Sequence, residues 1–409
     1  MVSIAIMGHG VVGSGVAEIL LTHKQKLFAR LGEEIYIKKV LDLREFPDSP
    51  IADRFTKDFE EIINDLEIRV VVEVMGGLHP SYEFVSRCIK AGKSVVTSNK
   101  ELVAAYGAEL LALAKENNVN FLFEASVGGG IPIIRPMNQC LVANIVDEIA
   151  GILNGTTNFI LTKMIEDGMQ FADALKLAQE LGFAEKDPTA DIEGHDACRK
   201  ICILASLAFG KHVYPDSVHT EGITKITLED VKYAEKFGCV IKLIGRVKKL
   251  NNNKIDIITA PMLVPLKSQL ANIDNEFNGI MVRGDCTGDV VFYGKGAGKL
   301  PTASAVVADI VDCCQHLKKR RFLFWTDGDG SNIINVSESV FAMYVRVKGR
   351  DAVVKAEGIF GSIQSLSTHG GDRAAFTTKA MTYSEFTEKI NKLASDGVEI
   401  LSTIRIGDL

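Results

Sequence analysis

Apolar residues in the first third of the chain gather in short runs, and segments with helical spacing separate them. Val2–Met7 is such a run, and Ile35–Leu41, Leu66–Val74, Ser94–Thr97 and Asn120–Glu124 repeat the theme. Between them, Ser14–Leu27 carries Val16, Ile19, Leu20 and Leu27 on one stripe, and Ser81–Ala91 and Ala104–Asn117 read the same way. Short apolar runs bounded by turns predict buried strands, and the 3.6-residue spacing predicts helices. Their alternation predicts an α/β region built on a parallel sheet. The rhythm changes near residue 130. Helices are expected near Phe159, from Glu193 or Gly194 to Phe209, and after Pro301 and Thr302. Strands punctuated by Pro261 and Pro265 fill Lys254–Asn278, with Ala260–Leu270 expected as a sheet edge or subunit contact. The last stretch alternates strand Phe341–Val347, helix Ala352–Phe360, strands Gln364–Thr368 and Ala374–Lys379, helix Tyr383–Ala394 and strand Val398–Ile406. That βαββαβ order predicts a ferredoxin-like unit.

A chain of 409 residues exceeds what one hydrophobic core usually serves, so two or three domains are expected. Lys plus Arg number 46 against 52 Asp plus Glu, a net charge of -6 that points to no polyanionic partner. The one basic run, Lys318–Arg321, reads as a solvated linker, so no nucleic-acid role is expected. The eight cysteines form no CxxC pair and read as buried thiols of a reducing compartment. No secretory leader is read before the first strand, and no apolar run reaches the ~18 residues of a membrane span. A cytoplasmic protein is therefore expected.

Gly8-His9-Gly10-Val11-Val12-Gly13 follows the first strand and opens a helix. In that context GxGxxG is a dinucleotide site. Gly8 turns the chain, Gly10 admits a pyrophosphate close to the backbone, and Gly13 permits close helix packing. Ligands of parallel sheets lie at the carboxyl ends of strands, which places Gly76, Gly77, Ser98, Asn99 and Lys100 on the cofactor side, Lys100 as either an ammonium reaching a bound substrate or a solvent-facing helix-start lysine. Asp42 ends the second strand and suits a ribose hydroxyl, whereas Arg44 suits the extra phosphate of NADP. NAD, NADP and dual use all stay open.

Further along, Glu124 precedes the glycine run Gly128–Gly130, which leaves open a hard-cation ligand or an ion-free hinge. Gly151–Asn158 reads as a loop into a helix start, suited to a substrate carboxylate or to capping alone. Asp196 and Lys200 stand four apart on a predicted helix. They form either a polar pocket beneath an apolar stripe or a surface ion pair. Glu185 and Asp191 lie just upstream and would suit an ammonium group.

These motifs occur in the order Gly8–Gly13, Glu73–Gly77, Thr97–Lys100, Glu124–Pro132, Gly151–Asn158, Glu185–Lys200 and Tyr293–Val306. Over about residues 2–320 the chain resembles the homoserine dehydrogenases, which interconvert L-aspartate 4-semialdehyde and L-homoserine for threonine, isoleucine and methionine synthesis. The resemblance implies that Lys200 donates the proton, with Lys100 as a second catalytic lysine and Asp196 supporting the region of the reacting oxygen. It implies Glu185 and Asp191 at the substrate's amino end and Gly155 and Thr156 lining the substrate site. It implies NAD or NADP on Gly8, Gly10, Val11, Val12, Gly13, Asp42, Arg44, Gly76, Gly77, Ser98, Lys100 and Gly296. It also implies a structural sodium ion at Glu124, Val127, Gly129 and Ile131. Three domains follow: a Rossmann-type domain over 1–130 completed by helix 300–318, an α+β catalytic and dimerisation domain over 131–299, and, after a linker at 319–339, a ferredoxin-like domain over 340–409. The last resembles the ACT regulatory domain, with threonine as the expected effector. It reads Gly349-Arg350-Asp351-Ala352-Val353 where that family has Asp-x-Pro-Gly-Val, so a structural or dimerising role without threonine stays open. A homodimer or homotetramer is expected. A related semialdehyde or amino-acid dehydrogenase, and a non-catalytic NAD(P)-binding sensor, are the alternatives.

Overall fold

The computed structural model describes residues 1–321, 323–367 and 372–409. Backbone proximity divides the chain into two compact units. The first comprises Met1–Ile145, Arg199–Pro215 and Phe292–Asp329; the second comprises Val146–Cys198, Asp216–Val291 and Gly330–Leu409.

In the first unit, strands β1 (Val2–Met7), β2 (Ile35–Leu41), β3 (Phe55–Thr56), β4 (Ile68–Glu73), β5 (Ser94–Thr97) and β6 (Phe121–Leu122) form one sheet. Its order is β3-β2-β1-β4-β5-β6, and every pairing is parallel. This is the doubly wound order of dinucleotide-binding sheets. All six residues of β1 are buried, as a strand covered on both faces requires. The helix expected over Ser14–Leu27 is two helices, Val11–Thr22 and Lys24–Leu31. The Lys299–Gln315 helix packs on the first of these at Gly15, where an added Cβ would stand 2.9 Å from the Lys299 carbonyl oxygen. The final strand is shorter than expected, because Glu124 already caps a one-turn helix, Ala125–Gly128.

The second sheet has eleven strands: β7 (Val146–Ile152), β8 (His219–Thr220), β9 (Cys239–Lys249), β10 (Ile255–Pro265), β11 (Phe277–Gly284), β12 (Gly288–Lys295), β13 (Val340–Lys348), β14 (Gln364–Ser367), β15 (Arg373–Thr377), β16 (Met381–Thr382) and β17 (Glu399–Ile406). Its main path runs β12-β11-β7-β9-β10-β17-β13-β15-β14. The segment β17-β13-β15-β14 is antiparallel throughout, the strand order of a split βαβ unit. Thr368, expected to end a strand, lies outside the described residues.

The expected sheet edge over Ala260–Leu270 is instead interior, because β10 lies between β9 and β17. Pro261 tolerates this for a local reason. On one side β9 pairs along the whole of β10. On the other, β8 pairs only at Ile258 and Thr259 and β17 only at Met262 and Leu263. Pro261 falls between those two short partners, where the ladder is already interrupted. Through β10 and β17 the middle and C-terminal strands form one sheet, sharing a core that includes Ile258, Met262, Met343, Val345 and Phe376.

Among the described residues no helix is long and apolar enough to cross a membrane. Not every cysteine is buried as expected: Cys140 and Cys286 are exposed.

Candidate active site

Gly8 adopts φ 96 with no room for a side chain, since an added Cβ would stand 2.9 Å from the Val74 carbonyl oxygen. At Gly13 an added Cβ would stand 2.0 Å from the Gly8 carbonyl oxygen, so the turn closes only on glycine. Gly10 has nothing within 4 Å of its missing Cβ. It caps the Val11–Thr22 helix without a side-chain hydrogen bond, and that open position leaves backbone amides to meet an anion. Beside the turn lies a cleft of about 580 Å³ whose lining includes Gly8, Gly10, Asp42, Arg44, Lys57 and Phe59. Asp42 accepts from the His9 amide (2.7 Å) and from Arg44 Nε and Nη2 (both 2.9 Å). The Arg44 hydrogen bond holds its carboxyl far below the usual carboxylate range, against the effect of burial. Gly76 and Gly77 have φ of 80 and 71. Their turn is held by buried Glu73, which accepts from the Met75 amide (2.8 Å), the Gly76 amide (3.2 Å) and the Thr97 hydroxyl (2.6 Å).

Lys100 is the first residue of the Lys100–Glu116 helix, capped by Asn99, whose side chain accepts from the Leu102 amide. Two ties join this helix to residues following Cys198. Glu101 pairs with Arg199 at 3.3 Å. Buried His212 contacts the Ala104 carbonyl oxygen through Nε2 at 2.8 Å and accepts from Trp325 Nε1 at 2.9 Å. Since Nδ1 accepts, Nε2 carries the proton and donates. Burial pushes the His212 pKa down, in keeping with a neutral ring. Lys200 follows Arg199 on the His195–Phe209 helix and is 8 % exposed; Asp196, one turn earlier, is 2 % exposed. A solvated surface ion pair is therefore excluded for these two residues.

The Glu124 carboxylate differs from expectation. It accepts from the amides of Ile133 (2.6 Å), Ile134 (2.8 Å) and Arg135 (2.7 Å). It thereby caps a backbone turn, so an ion at this loop would have to rest on carbonyl oxygens. The adjoining glycines bring two loops into backbone contact, because a Cβ on Gly129 would stand 2.2 Å from the Gly296 carbonyl oxygen.

In the second unit, Asn154 caps the Gly155–Glu166 helix by accepting from the Thr157 amide. Its Nδ2 donates to Asp191 Oδ1 (2.6 Å) and to Asp196 Oδ2 (2.9 Å). One amide thus gathers the two carboxylates that the sequence placed in separate roles. Thr156 donates its hydroxyl to the Phe183 carbonyl oxygen (2.7 Å), which ties the helix start to the segment leading into exposed Glu185. Gly155 is required locally, since its Cβ would stand 2.6 Å from the Glu276 carbonyl oxygen.

The family profile described as homoserine dehydrogenase matches residues 132–311, and the homoserine dehydrogenase NAD-binding domain matches residues 8–124. The homoserine dehydrogenase of Neisseria gonorrhoeae is 42% identical over 374 residues, covering 89% of this chain and 85% of that one.

The chain belongs to the homoserine dehydrogenase family.

A crystal structure of a homoserine dehydrogenase from Thiobacillus denitrificans has a TM-score of 0.90 and 35% identity, covering 100% of this chain and 98% of that one. A hyperthermophilic archaeal homoserine dehydrogenase in complex with NADPH has a TM-score of 0.64 and 27% identity, covering 76% of this chain and 97% of that one. The chain is an NAD(P)-dependent oxidoreductase of amino-acid biosynthesis, acting between L-aspartate 4-semialdehyde and L-homoserine. Three of its site features escaped sequence reasoning. Asn154 had a usable signal, an amide residue just before a helix. Lys57 in the cleft beside the Gly8–Gly13 turn and the Glu101–Arg199 pair had none, since folding alone brings each to its surroundings.

Proposed function

We propose that Lys200 donates the proton to the substrate carbonyl oxygen during reduction, with Lys100 as a second ammonium group facing the same oxygen. The observation that carries this reading is the burial of Lys200 and Asp196 one turn apart on one helix. Burying a lysine and an aspartate is costly unless each is paired or hydrogen-bonded, and charges kept buried at that cost are candidates for chemistry. When bound, the nicotinamide cofactor supplies the hydride in one direction and takes it in the other. As negative charge grows on the carbonyl oxygen, an ammonium stabilises it and then gives up its proton. Asp196, steadied by Asn154, orients this end of the site, while Asp191 and Glu185 receive the substrate ammonium and the start of the Gly155–Glu166 helix, at Gly155 and Thr156, receives its carboxylate.

The cofactor's pyrophosphate would lie on Gly8, Gly10, Val11, Val12 and Gly13, with Gly76, Gly77, Ser98, Lys100 and Gly296 along the nicotinamide half. The bidentate Asp42–Arg44 pair offers a carboxylate to a ribose hydroxyl and a guanidinium to a phosphate, which supports use of both NAD and NADP. Turnover of homoserine followed by absorbance of the reduced nicotinamide, with NAD and NADP in parallel, tests the activity and the cofactor choice. No turnover with either would defeat the reading.

A structural sodium ion would be held by the carbonyl oxygens of Glu124, Val127, Gly129 and Ile131. What supports it is the turn at Gly129, whose φ of 56 bends the backbone among those carbonyls. In the C-terminal ACT-like domain, Asp351 stands with φ 56 at the corner where related domains have Pro-Gly. Threonine is the effector proposed there, and calorimetric titration tests it. Edge strand β12 is largely exposed, which supports homodimer or homotetramer formation of a cytoplasmic enzyme; light scattering in solution tests the assembly.

A further inference from the structure

Two helices carry the proposed catalytic lysines, and each lysine has a neighbour that is part of one ion pair. Glu101 follows Lys100, Arg199 precedes Lys200, and the two pair at 3.3 Å with side chains about one-third exposed. A pair so placed contributes little to stability, typically under about 1 kcal/mol. Its position gives it a different use. It spans from the first turn of the Lys100–Glu116 helix to the second turn of the His195–Phe209 helix. The second tie, through His212 and Trp325, lies one turn further along the Lys100 helix, at Ala104. There Gly107 is pressed so close that an added Cβ would stand 2.7 Å from the Trp325 ring. The far tie is thus buried and rigid, while the tie nearest the lysines is a charge pair.

We infer that Glu101 and Arg199 are positioning residues, whose ion pair sets the separation of the Lys100 and Lys200 ammonium groups. The inference rests on the reading that both lysines serve the reaction. With the pair broken, the His212–Trp325 tie still anchors the Lys100 helix at Ala104 to the segment after the Lys200 helix but leaves the lysine ends free to part. A displacement of about 1 Å at a reacting group costs up to about a hundredfold in rate. The pair also flanks the lysines electrostatically. Removing the carboxylate disfavours a nearby ammonium, and removing the guanidinium favours it.

The test uses the full-length enzyme with E101Q, R199Q and the charge-swapped double variant E101R/R199E. The expected result is a fall in kcat of about tenfold for each single variant. KM for the cofactor should change less than about twofold, and the double variant should recover most of the loss. The basic limb of the kcat profile for semialdehyde reduction, where the lysine must be protonated, should move down in pH for E101Q and up for R199Q, shifts that a purely structural role would not give. Retention of more than about half of kcat by both single variants overturns the inference. So does a folded, cofactor-binding double variant no faster than the singles, or a basic limb unmoved in both. Lys200→Ala measured alongside separates the two ideas, because undiminished turnover there removes the underlying reading instead.

Discussion

The first unit presents open backbone at its glycine turns, whereas the second joins its strands with buried charge. Around Gly8–Gly13 and Gly76–Gly77 the contacts left for a cofactor are amides at positive-φ turns and at an uncapped helix start. The eleven-stranded sheet instead locks distant strands with ionised side chains. Buried Arg346 donates to Asp230 (Nε–Oδ1 2.8 Å) and also pairs with Glu229. Arg246 joins Glu148 at 2.5 Å and Asp408 at 2.6 Å, and Arg405 joins Glu221 at 2.8 Å. These arginines fasten the C-terminal strands β13 and β17 to the middle region. A backbone site tolerates no added atom but needs no particular side chain. A buried-charge joint needs both its partners.

The comparison can be broken from either side. The largest effect is expected at Lys200, the side-chain exception within the first unit. Lys200→Ala should lower kcat by about a thousandfold, the middle of the range for a positioned acid, with cofactor affinity nearly unchanged. Steady-state kinetics beside a cofactor titration checks this.

Next comes the buried joint. Arg346→Ala leaves buried Asp230 without its cation, with Thr227 and Tyr344 still donating to it, at a cost of about 3 kcal/mol in chemical denaturation, without altering cofactor affinity. A loss below about 1 kcal/mol would show that the C-terminal strands are held by packing alone.

The glycines then separate fold from binding. Gly13→Ala drives a Cβ against the Gly8 carbonyl oxygen and should lower Tm by several degrees, as well as weakening the cofactor. Gly10→Ala meets nothing in the protein, so Tm should hold while cofactor affinity falls about tenfold or more. Equal effects of the two variants on Tm would erase the distinction.

The smallest effect concerns acid. Burial opposes ionisation of Glu221, but His219 (2.5 Å) and Arg405 overcome it and lower its pKa from 4.5 to about 2. A depressed carboxyl stabilises the fold above its ordinary pKa, and that contribution fades as pH falls from about 4.5 through about 2. Glu221→Gln should therefore lose less stability than the natural protein over this interval, as acid titration of unfolding would read.

How far each part was legible follows from the same contrast. The parallel sheet and the Gly8–Gly13 turn were plain, because apolar period and glycine spacing act over a few residues. Asp196 and Lys200 were visible as one helix face, yet a pocket and a surface pair stayed equally open until their burial was known. Glu124 was recognised as special, but its carboxylate caps three amides, a commitment that depends on where the chain folds back. Pro261 in β10 suggested an edge because a missing donor is cheapest there. Two short partner strands, β8 and β17, instead leave a gap at that position.

Period, glycine spacing and motif order were enough to assign the chain to its family and to single out the residues proposed to react. These are short-range constraints, written in neighbouring residues and read without knowing the fold. Folding alone brought Asn154 to Asp191 and Asp196 from 37 and 42 residues away, Arg246 to Glu148 from 98, and Glu101 to Arg199. Any Lys, Arg, Asp or Glu can pair with many others, and chain order does not say which meet. Packing geometry selects the partners, and each buried charge then depends on the one it was given.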